Sequence, residues 1–388
     1  IMPGYGRSNT SRNEKMIKSC LRRLYLFSRG IVLALFFRRG TINMIYPDRI
    51  HTAAALRIDR IGDVVVSLPA LKAFKDVFPQ CRLTLILKER NLPFLKALPW
   101  IDELVAYKGF WETVRFLRQR RFDLVVDLLM DYSLKTAWLA YLSKSALTVG
   151  FDLEARGRLF KAALKPDKDK KLMSQYLLDL VRFLAGLSGL DKKNIKDSPP
   201  ELRISDKNKA FAEGFLREGG INAGDFIIAM HPGGYFPSQR WKAEGFARLA
   251  DILSSKYQAK IIVMASADEK ELVNRLAGLM KIKPCVISGF SLDKAAAIIA
   301  QSDIFVGNNS GLLHIAAALG KPTVSTMGPT APWLWMPQGD NQIVIRHNLE
   351  CGPCGKGVCR EHKCMELITV EEMVMAVEDL IDKKDIGG

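Results

Sequence analysis

Two groups of residues in this chain have the types and spacing to do chemistry together. The first is Asp59-Arg-Ile-Gly-Asp63, which follows the apolar run Ala53 to Ile58. A carboxylate set just past a glycine at a strand end can be aimed into a cleft and take a proton from a hydroxyl. Asp63 could instead cap the helix that follows, and Asp59 is a rival carboxylate. The second group is Val306-Gly-Asn-Asn-Ser-Gly-Leu-Leu-His314. Asp303 to Val306 reads as a strand and His314 to Leu319 as a tightly packed helix. That arrangement presents bare N–H groups at a helix N-terminus, where an anion is favoured. Asn309 or Ser310 suits the capping position, and Gly311 lets a ligand approach the backbone. His314 falls about one turn into the helix, on the side facing that ligand.

Three more turns converge on the second group. His231-Pro-Gly-Gly234 exposes backbone amides, Gln239-Arg-Trp-Lys242 brings cations, and Gly328-Pro-Thr330 is tight. Amides, a helix end and Arg240 together suit a diphosphate. A Walker lysine pattern and a Gly-x-Gly-x-x-Gly run are both missing, so neither a P-loop ATPase nor a standard dinucleotide site is indicated.

The elements that must position these turns alternate. Strand-like runs at 53–58, 83–87, 104–106 and 124–128 are separated by helical stretches such as 113–120 and 134–142. After a helix over about 172–187, the polar stretch Asp191 to Pro200 reads as a linker. The pattern then restarts with strands at 226–230, 260–264, 286–287, 303–306 and 322–326, and a last helix at 370–381. This predicts two doubly wound parallel sheets, whose ligands lie beyond the carboxyl ends of the strands. The expected division is an N-terminal extension (1–50), a first unit (51–190), a linker (191–204), a second unit (205–370) and a C-terminal helix and tail (371–388).

With 388 residues, 48% hydrophobic and 25% charged, the chain can bury two ordinary cores. The formal charge of +16 is uneven. Residues 1–50 carry ten Lys/Arg against Glu14 and Asp48, a net of +8. Leu24 to Phe37 is apolar apart from Ser28 and Arg29, too short to span a bilayer, and Phe-Phe-Arg-Arg is a poor signal cleavage site. An amphipathic helix lying on an anionic membrane surface is the expectation, with the cytoplasm as compartment. Seven cysteines are present. Three are scattered singly, as in reduced proteins, and Cys351, Cys354, Cys359 and Cys364 have zinc-like spacing around His362. A structural clip by metal or disulfide is expected there; a catalytic metal is not, because four cysteine ligands close a site.

These motifs, taken in order, resemble glycosyltransferase family 9, the bacterial heptosyltransferases of lipopolysaccharide core synthesis. The resemblance covers about residues 53–375. It rests on Arg57-Ile-Asp-Arg-Ile-Gly-Asp63 with Pro69, His231-Pro-Gly-Gly234 with Arg240-Trp241, Asn308 to His314 with Pro322 and Gly328-Pro-Thr330, and the Cys351-Gly-Pro-Cys354 tail. It implies a GT-B fold, an ADP-heptose donor in the C-terminal domain and a lipid A–Kdo type acceptor at the N-terminal one. Transfer would invert the anomeric centre and need no catalytic metal. By the same resemblance Asp63 is the general base. His231, Gly233, Gly234, Arg240, Asn309, Ser310, Gly311, His314, Gly328 and Thr330 form the donor site. Glu269 would meet ribose, Phe290 would pack on adenine, and Arg57 and Arg60 would bind acceptor phosphates. Arg240 stands where the family usually has Lys, and Asn309 where many members have Asp. A monomer peripheral on the inner membrane is expected. Another nucleotide-sugar donor or glycan acceptor is the alternative within the family. A nucleic-acid binder with a basic arm and a cysteine module would leave Gly62-Asp63 and the diphosphate cleft unexplained.

Overall fold

The computed structural model describes residues 12–37, 46–193 and 195–386. Part of the expected N-terminal extension therefore lies outside the described residues. A helix, α1 (Arg12–Phe36), precedes the first sheet. That sheet contains β1 (Thr52–Arg57), β2 (Arg82–Leu87), β3 (Glu103–Ala106), β4 (Leu124–Asp127), β5 (Leu147–Phe151) and β6 (Ala162–Leu164). Its helices are α2 (Ile61–Val77), the single turn α3 (Leu92–Leu95), α4 (Phe110–Arg120), α5 (Lys135–Leu142) and α6 (Met173–Leu187).

The second sheet contains β7 (Ile227–His231), β8 (Lys260–Ala265), β9 (Cys285–Ser288), β10 (Ile304–Asn308), β11 (Thr323–Thr326) and β12 (Gln342–Ile345). Around it lie α7 (Asp206–Glu218), α8 (Ala243–Tyr257), α9 (Lys270–Leu279), α10 (Leu292–Gln301) and α11 (Gly311–Ala318). Two single turns, α12 (Pro332–Trp335) and α13 (Lys363–Glu366), precede the final α14 (Val370–Ile386).

Both sheets are wholly parallel, in the orders β3-β2-β1-β4-β5-β6 and β12-β11-β10-β7-β8-β9. Their central strands are apolar along their length because helices cover both faces. In the first sheet Ala53, Ala55, Leu83 and Leu85 face α2 and α6, and the alternating Ala54, Leu56 and Ile86 face α1, α4 and α5. The second sheet packs Ile228, Met230, Val263 and Val306 against α8 and α14. The expected architecture is thus present. The short strands β5, β6 and β12 were not among the sequence expectations.

In each sheet the winding reverses between two neighbours, β1 and β4 in the first and β7 and β10 in the second. Such reversals leave a crevice at the strands' carboxyl ends. Asp59 to Asp63 follow β1, His231 to Gly234 end β7, and Asn309 to Gly311 follow β10. The chain crosses between the units through residues 188–205, where the Leu202 N–H donates to the Ala318 carbonyl at the end of α11 (2.8 Å). The units also meet where α2 packs on α11, and that contact brings the two crevices together.

Candidate active site

On the first unit's side the site is built on one buried cation. Arg57, at the end of β1, is 1% exposed. Its Nε donates to the Asp63 carbonyl (2.9 Å) and its Nη1 to the Leu128 carbonyl (2.7 Å). The same guanidinium lies 3.2 Å from Asp59 and 3.9 Å from Asp63. Arg57 therefore sits between the two carboxylates and ties them to the loop after β4. The expected role of Arg57 on an acceptor phosphate is not what this geometry offers, because its charge is spent beneath the cleft.

Asp63 lies in the first turn of α2, with its Oδ2 accepting weakly from the Arg60 N–H (3.3 Å). Its side chain keeps 18% of its surface open. The capping reading and the cleft-facing reading of Asp63 are thus compatible. Asp59 differs. Burial pushes its carboxyl up to about 7, against the pull of Arg57 and with a further push from the charge of Asp63.

On the second unit's side, α11 begins at Gly311 with Ser310 in the capping position. Neither Asn309 nor Ser310 caps the helix with its side chain. Ser310 Oγ instead meets His231 Nδ1 (3.0 Å), and the Asn309 amide donates to the Trp335 carbonyl (3.2 Å). The first-turn amides of α11 stay without a side-chain acceptor. His314, one turn in, is held as neutral imidazole: burial lowers its pKa to about 4, although the nearby Asp63 charge opposes that.

Glu269 closes the other flank. Its carboxylate accepts from the Gly234 N–H (3.0 Å) and from the N–H and Oγ of Ser266 (2.9 and 2.8 Å), and lies 3.4 Å from His231 Nε2. Burial alone would raise its pKa, but His231 and Ser266 hold it well below the usual carboxylate range. A Cβ on Gly233 would fall 2.0 Å from a Glu269 oxygen, so this carboxylate keeps its place only beside a glycine. Arg240 folds back, donating through Nε and Nη2 to the Gly234 carbonyl (2.9 and 2.7 Å). Thr330 Oγ1 accepts from Gln239 Nε2 (3.0 Å). Phe290 is half-buried, its ring edge-on to Phe211 and Phe215 at 5.8 and 5.2 Å.

The two halves of the site touch directly. Gly62 and Gly311 let α2 and α11 meet: a Cβ on Gly62 would lie 3.1 Å from the His314 ring, and one on Gly311 only 2.2 Å from Ile61 Cγ2. The close neighbour that Gly311 admits is thus the other unit's helix. Arg60 reaches across as well, its guanidinium stacked 3.7 Å from the centre of the Tyr235 ring.

The description of glycosyltransferase family 9 (heptosyltransferase) matches residues 110–365. The chain belongs to that family. Among relatives, the lipopolysaccharide heptosyltransferase 1 of Pseudomonas aeruginosa is 24% identical over 330 residues, covering 78% of this chain and 86% of its own. Among solved structures, the glycosyl transferase family 9 protein of Veillonella parvula superposes with a TM-score of 0.73 at 21% identity, over 89% of this chain and 99% of its own. The E. coli ADP-heptose lps heptosyltransferase II gives 0.72 at 22% identity, over 86% and 99%. Both share the two-unit fold, which is the GT-B type.

In this family 9 glycosyltransferase the cysteine loop is held in a way its spacing did not suggest. None of the seven cysteines is paired in a disulfide, and among the described residues no group of three or more His, Cys, Asp or Glu is placed to hold a metal. Hydrogen bonds clip the loop instead. Ser238 Oγ donates to the Lys356 carbonyl (2.5 Å), the Gly355 N–H to the Pro329 carbonyl (2.8 Å), and His362 Nε2 to the Ser238 carbonyl (2.8 Å). Gly328 lies under this loop, with room for no Cβ against Cys364 and Met365. Burial and the neighbouring cysteines push the Cys364 thiol up.

The glycosyltransferase also relies on a residue that the motif contains but to which the sequence assigned no role. Asn308 is fully buried. Its Oδ1 accepts from the Trp241 N–H (2.9 Å) and Thr326 Oγ1 (2.8 Å), and its Nδ2 donates to the Pro232 and Gly233 carbonyls (2.7 and 2.9 Å). One amide thereby fixes the ends of β7, β10 and β11 and the strand-like entry to α8. The signal in the sequence was an amide directly after an apolar strand, where a polar side chain must find partners.

Proposed function

We propose that this chain transfers a heptose from ADP-L-glycero-D-manno-heptose to the Kdo/heptose inner core of lipopolysaccharide, with inversion and with Asp63 as general base. The observation that carries the reading is the facing of α2 and α11. Asp63 stands at the start of one helix, with the uncapped first turn of α11 and neutral His314 at the other. The acceptor hydroxyl gives its proton to the Asp63 carboxylate while its oxygen attacks the anomeric carbon. The bond from that carbon to the diphosphate oxygen breaks on the opposite face, and ADP leaves with the electron pair. The α11 amides, His314 as a neutral donor and a released Arg240 suit the charge that develops there.

Donor binding is assigned to residues 205–370 and acceptor binding to 51–190. Arg60, whose guanidinium stacks on Tyr235 of the other unit, is the cation we assign to an acceptor phosphate. Glu269 and Phe290 would have to give up part of their present contacts to meet ribose and adenine, which makes donor binding and local rearrangement one event. The names of the relatives support ADP-heptose and a lipopolysaccharide acceptor. A monomer working at the cytoplasmic face of the inner membrane suits such a substrate pair.

The test is ADP release from ADP-heptose by wild type and Asp63→Ala, with Kdo-bearing lipid A acceptors carrying zero or one heptose. Acceptor-dependent turnover that falls by roughly 1,000-fold or more in the variant is the expected result for a general base. The preferred acceptor names the step. Donor binding without turnover on either acceptor would move the chain to another family 9 transfer, and no ADP-heptose binding would overturn the donor assignment.

A further inference from the structure

The N-terminal helix has two faces, and only one is used by the fold. On the inner face Arg29 is buried and donates to the carbonyls of Tyr132 (2.7 Å) and Glu154 (2.8 Å). Leu33, 3% exposed, joins the core that contains Leu56 and Phe160. Phe37, just past the helix, sets its ring edge-on to Trp138 and Tyr141 at 5.4 and 5.3 Å. The outer face is apolar as well. Leu24, Phe27, Ile31 and Leu35 are between 46% and 75% exposed. At 3.6 residues per turn these positions fall on the arc opposite Leu26, Gly30 and Leu33. A continuous apolar strip of this kind marks a surface that meets something other than water.

Charge and neighbouring residues say what covers it. Residues 1–50 carry a net +8, so a second copy of the same segment would be repelled and an anionic surface attracted. The helical layer that α1 extends, with α5 and α4, adds exposed Trp111 at 72% together with exposed Arg115, Arg118 and Arg121. Aromatic rings beside arginines on an apolar strip are the chemistry of the bilayer–water interface. Among the described residues no helix is long and apolar enough to cross a membrane. A helix with these properties lies in the interface plane.

We propose that the outer face of α1, together with the Trp111–Arg121 surface of α4, docks on an anionic phospholipid bilayer and holds the acceptor side of the cleft against it. The carbonyls that receive Arg29 lie in the segments after β4 and β5, on the strand-end rim that also carries Asp63. A helix resting in the interface therefore brings that rim to the lipid surface, where a lipid-borne acceptor would be met. This placement rests on the acceptor reading given above.

The test is flotation of the full chain with vesicles of phosphatidylcholine alone or mixed with phosphatidylglycerol. The wild type is expected to float with the mixed vesicles, and Phe27→Glu/Leu35→Glu to lose binding by roughly tenfold or more. Trp111→Ala, on a different helix, is expected to lose part of it. The double variant should keep its turnover on a deacylated, water-soluble acceptor and lose it on a vesicle-embedded one. Failure of the wild type to float with mixed vesicles, or unchanged flotation of both variants, overturns the proposal. So does a dimer, seen by light scattering, that Phe27→Glu/Leu35→Glu disperses while vesicles bind nothing. Flotation without any turnover of ADP-heptose would leave the docking face standing and remove the transfer reading.

Discussion

Gly311, the first residue of α11, rests directly on Ile61, the first residue of α2. A methyl group on Gly311 would come within 2.2 Å of Ile61 Cγ2. The contact sets how closely the helix start that faces the diphosphate approaches the helix start that carries Asp63. Gly311→Ala should push the helices apart without touching either unit's core, and a displacement of about 1 Å at reacting groups can cost on the order of 100-fold in rate. We expect kcat/KM to fall by that order with Tm nearly unchanged. Removing the opposing methyl in Gly311→Ala/Ile61→Ala should recover much of the loss. An inactive double variant with full ADP binding would show that the spacing is not what the glycine provides.

Asp59 gives a stability signature that does not depend on turnover. Its carboxyl is pushed up to about 7 in the folded chain, from an ordinary 3.8, chiefly by burial. Between those values the folded protein holds a proton that the unfolded chain has released, so stability falls as pH rises from about 4 to about 7. Asp59→Asn has no proton to lose there. Its stability relative to wild type should therefore improve from pH 5 to pH 8, as read from denaturant midpoints at the two pH values. A wild-type minus variant difference that stays constant with pH would mean that Asp59 is not held in this way.

His314 acts with the opposite sign in an overlapping window. Burial lowers its pKa to about 4 from an ordinary 6.5. The unfolded chain binds a proton that the folded one refuses, so this stability is present above about 6.5 and is lost as pH falls toward 4. The two groups partly offset each other in the wild type, and His314→Gln should remove the acid-side loss. Among the five histidines, the imidazole resonance that vanishes in His314→Gln should titrate near pH 4 by NMR. Titration near 6.5 would show an imidazole open to water and charged early, unsuited to serve as a neutral donor at the diphosphate.

The parts of this architecture that the sequence disclosed were those in which burial leaves a linear mark. β7 and β10 are covered on both faces, so Phe226 to Met230 and Asp303 to Val306 read as apolar runs, and the turns after them carry the site. Strands at or near sheet edges carry a weaker mark: β6 is three residues long, and every residue of β12 is only partly buried. Arg57 was legible as a cation but not as a buried one. What makes its burial tolerable is Asp59, Asp63 and the Leu128 carbonyl, and the last is 71 positions away. Gly311 was legible as a close approach, but the approaching group belongs to a helix 250 residues earlier in the sequence. The cysteine spacing suggested ligands, whereas the loop is held by hydrogen bonds from Ser238 Oγ, His362 Nε2 and the Gly355 N–H to backbone carbonyls, which spacing does not report.

Asn308 offers the sharpest separation between holding the site and doing its chemistry. Its amide uses both lone pairs of Oδ1 and both protons of Nδ2 on four partners in a fully buried setting. Asn308→Ala would strand the Trp241 N–H, the Thr326 hydroxyl and two carbonyls, a loss of about 2–4 kcal/mol when buried groups are left unpaired. The same change frees the His231–Gly234 turn, so ADP should bind roughly tenfold more weakly or worse. Asn308→Asp keeps the shape and the acceptor side but sets a carboxylate against the Pro232 and Gly233 carbonyls. It should be as damaging at pH 8 and milder at pH 5, where a protonated acid can donate one of the two lost bonds. Denaturant midpoints and ADP titration by calorimetry would check both variants. Weakened ADP binding with an unchanged midpoint would instead mean that Asn308 meets the nucleotide itself.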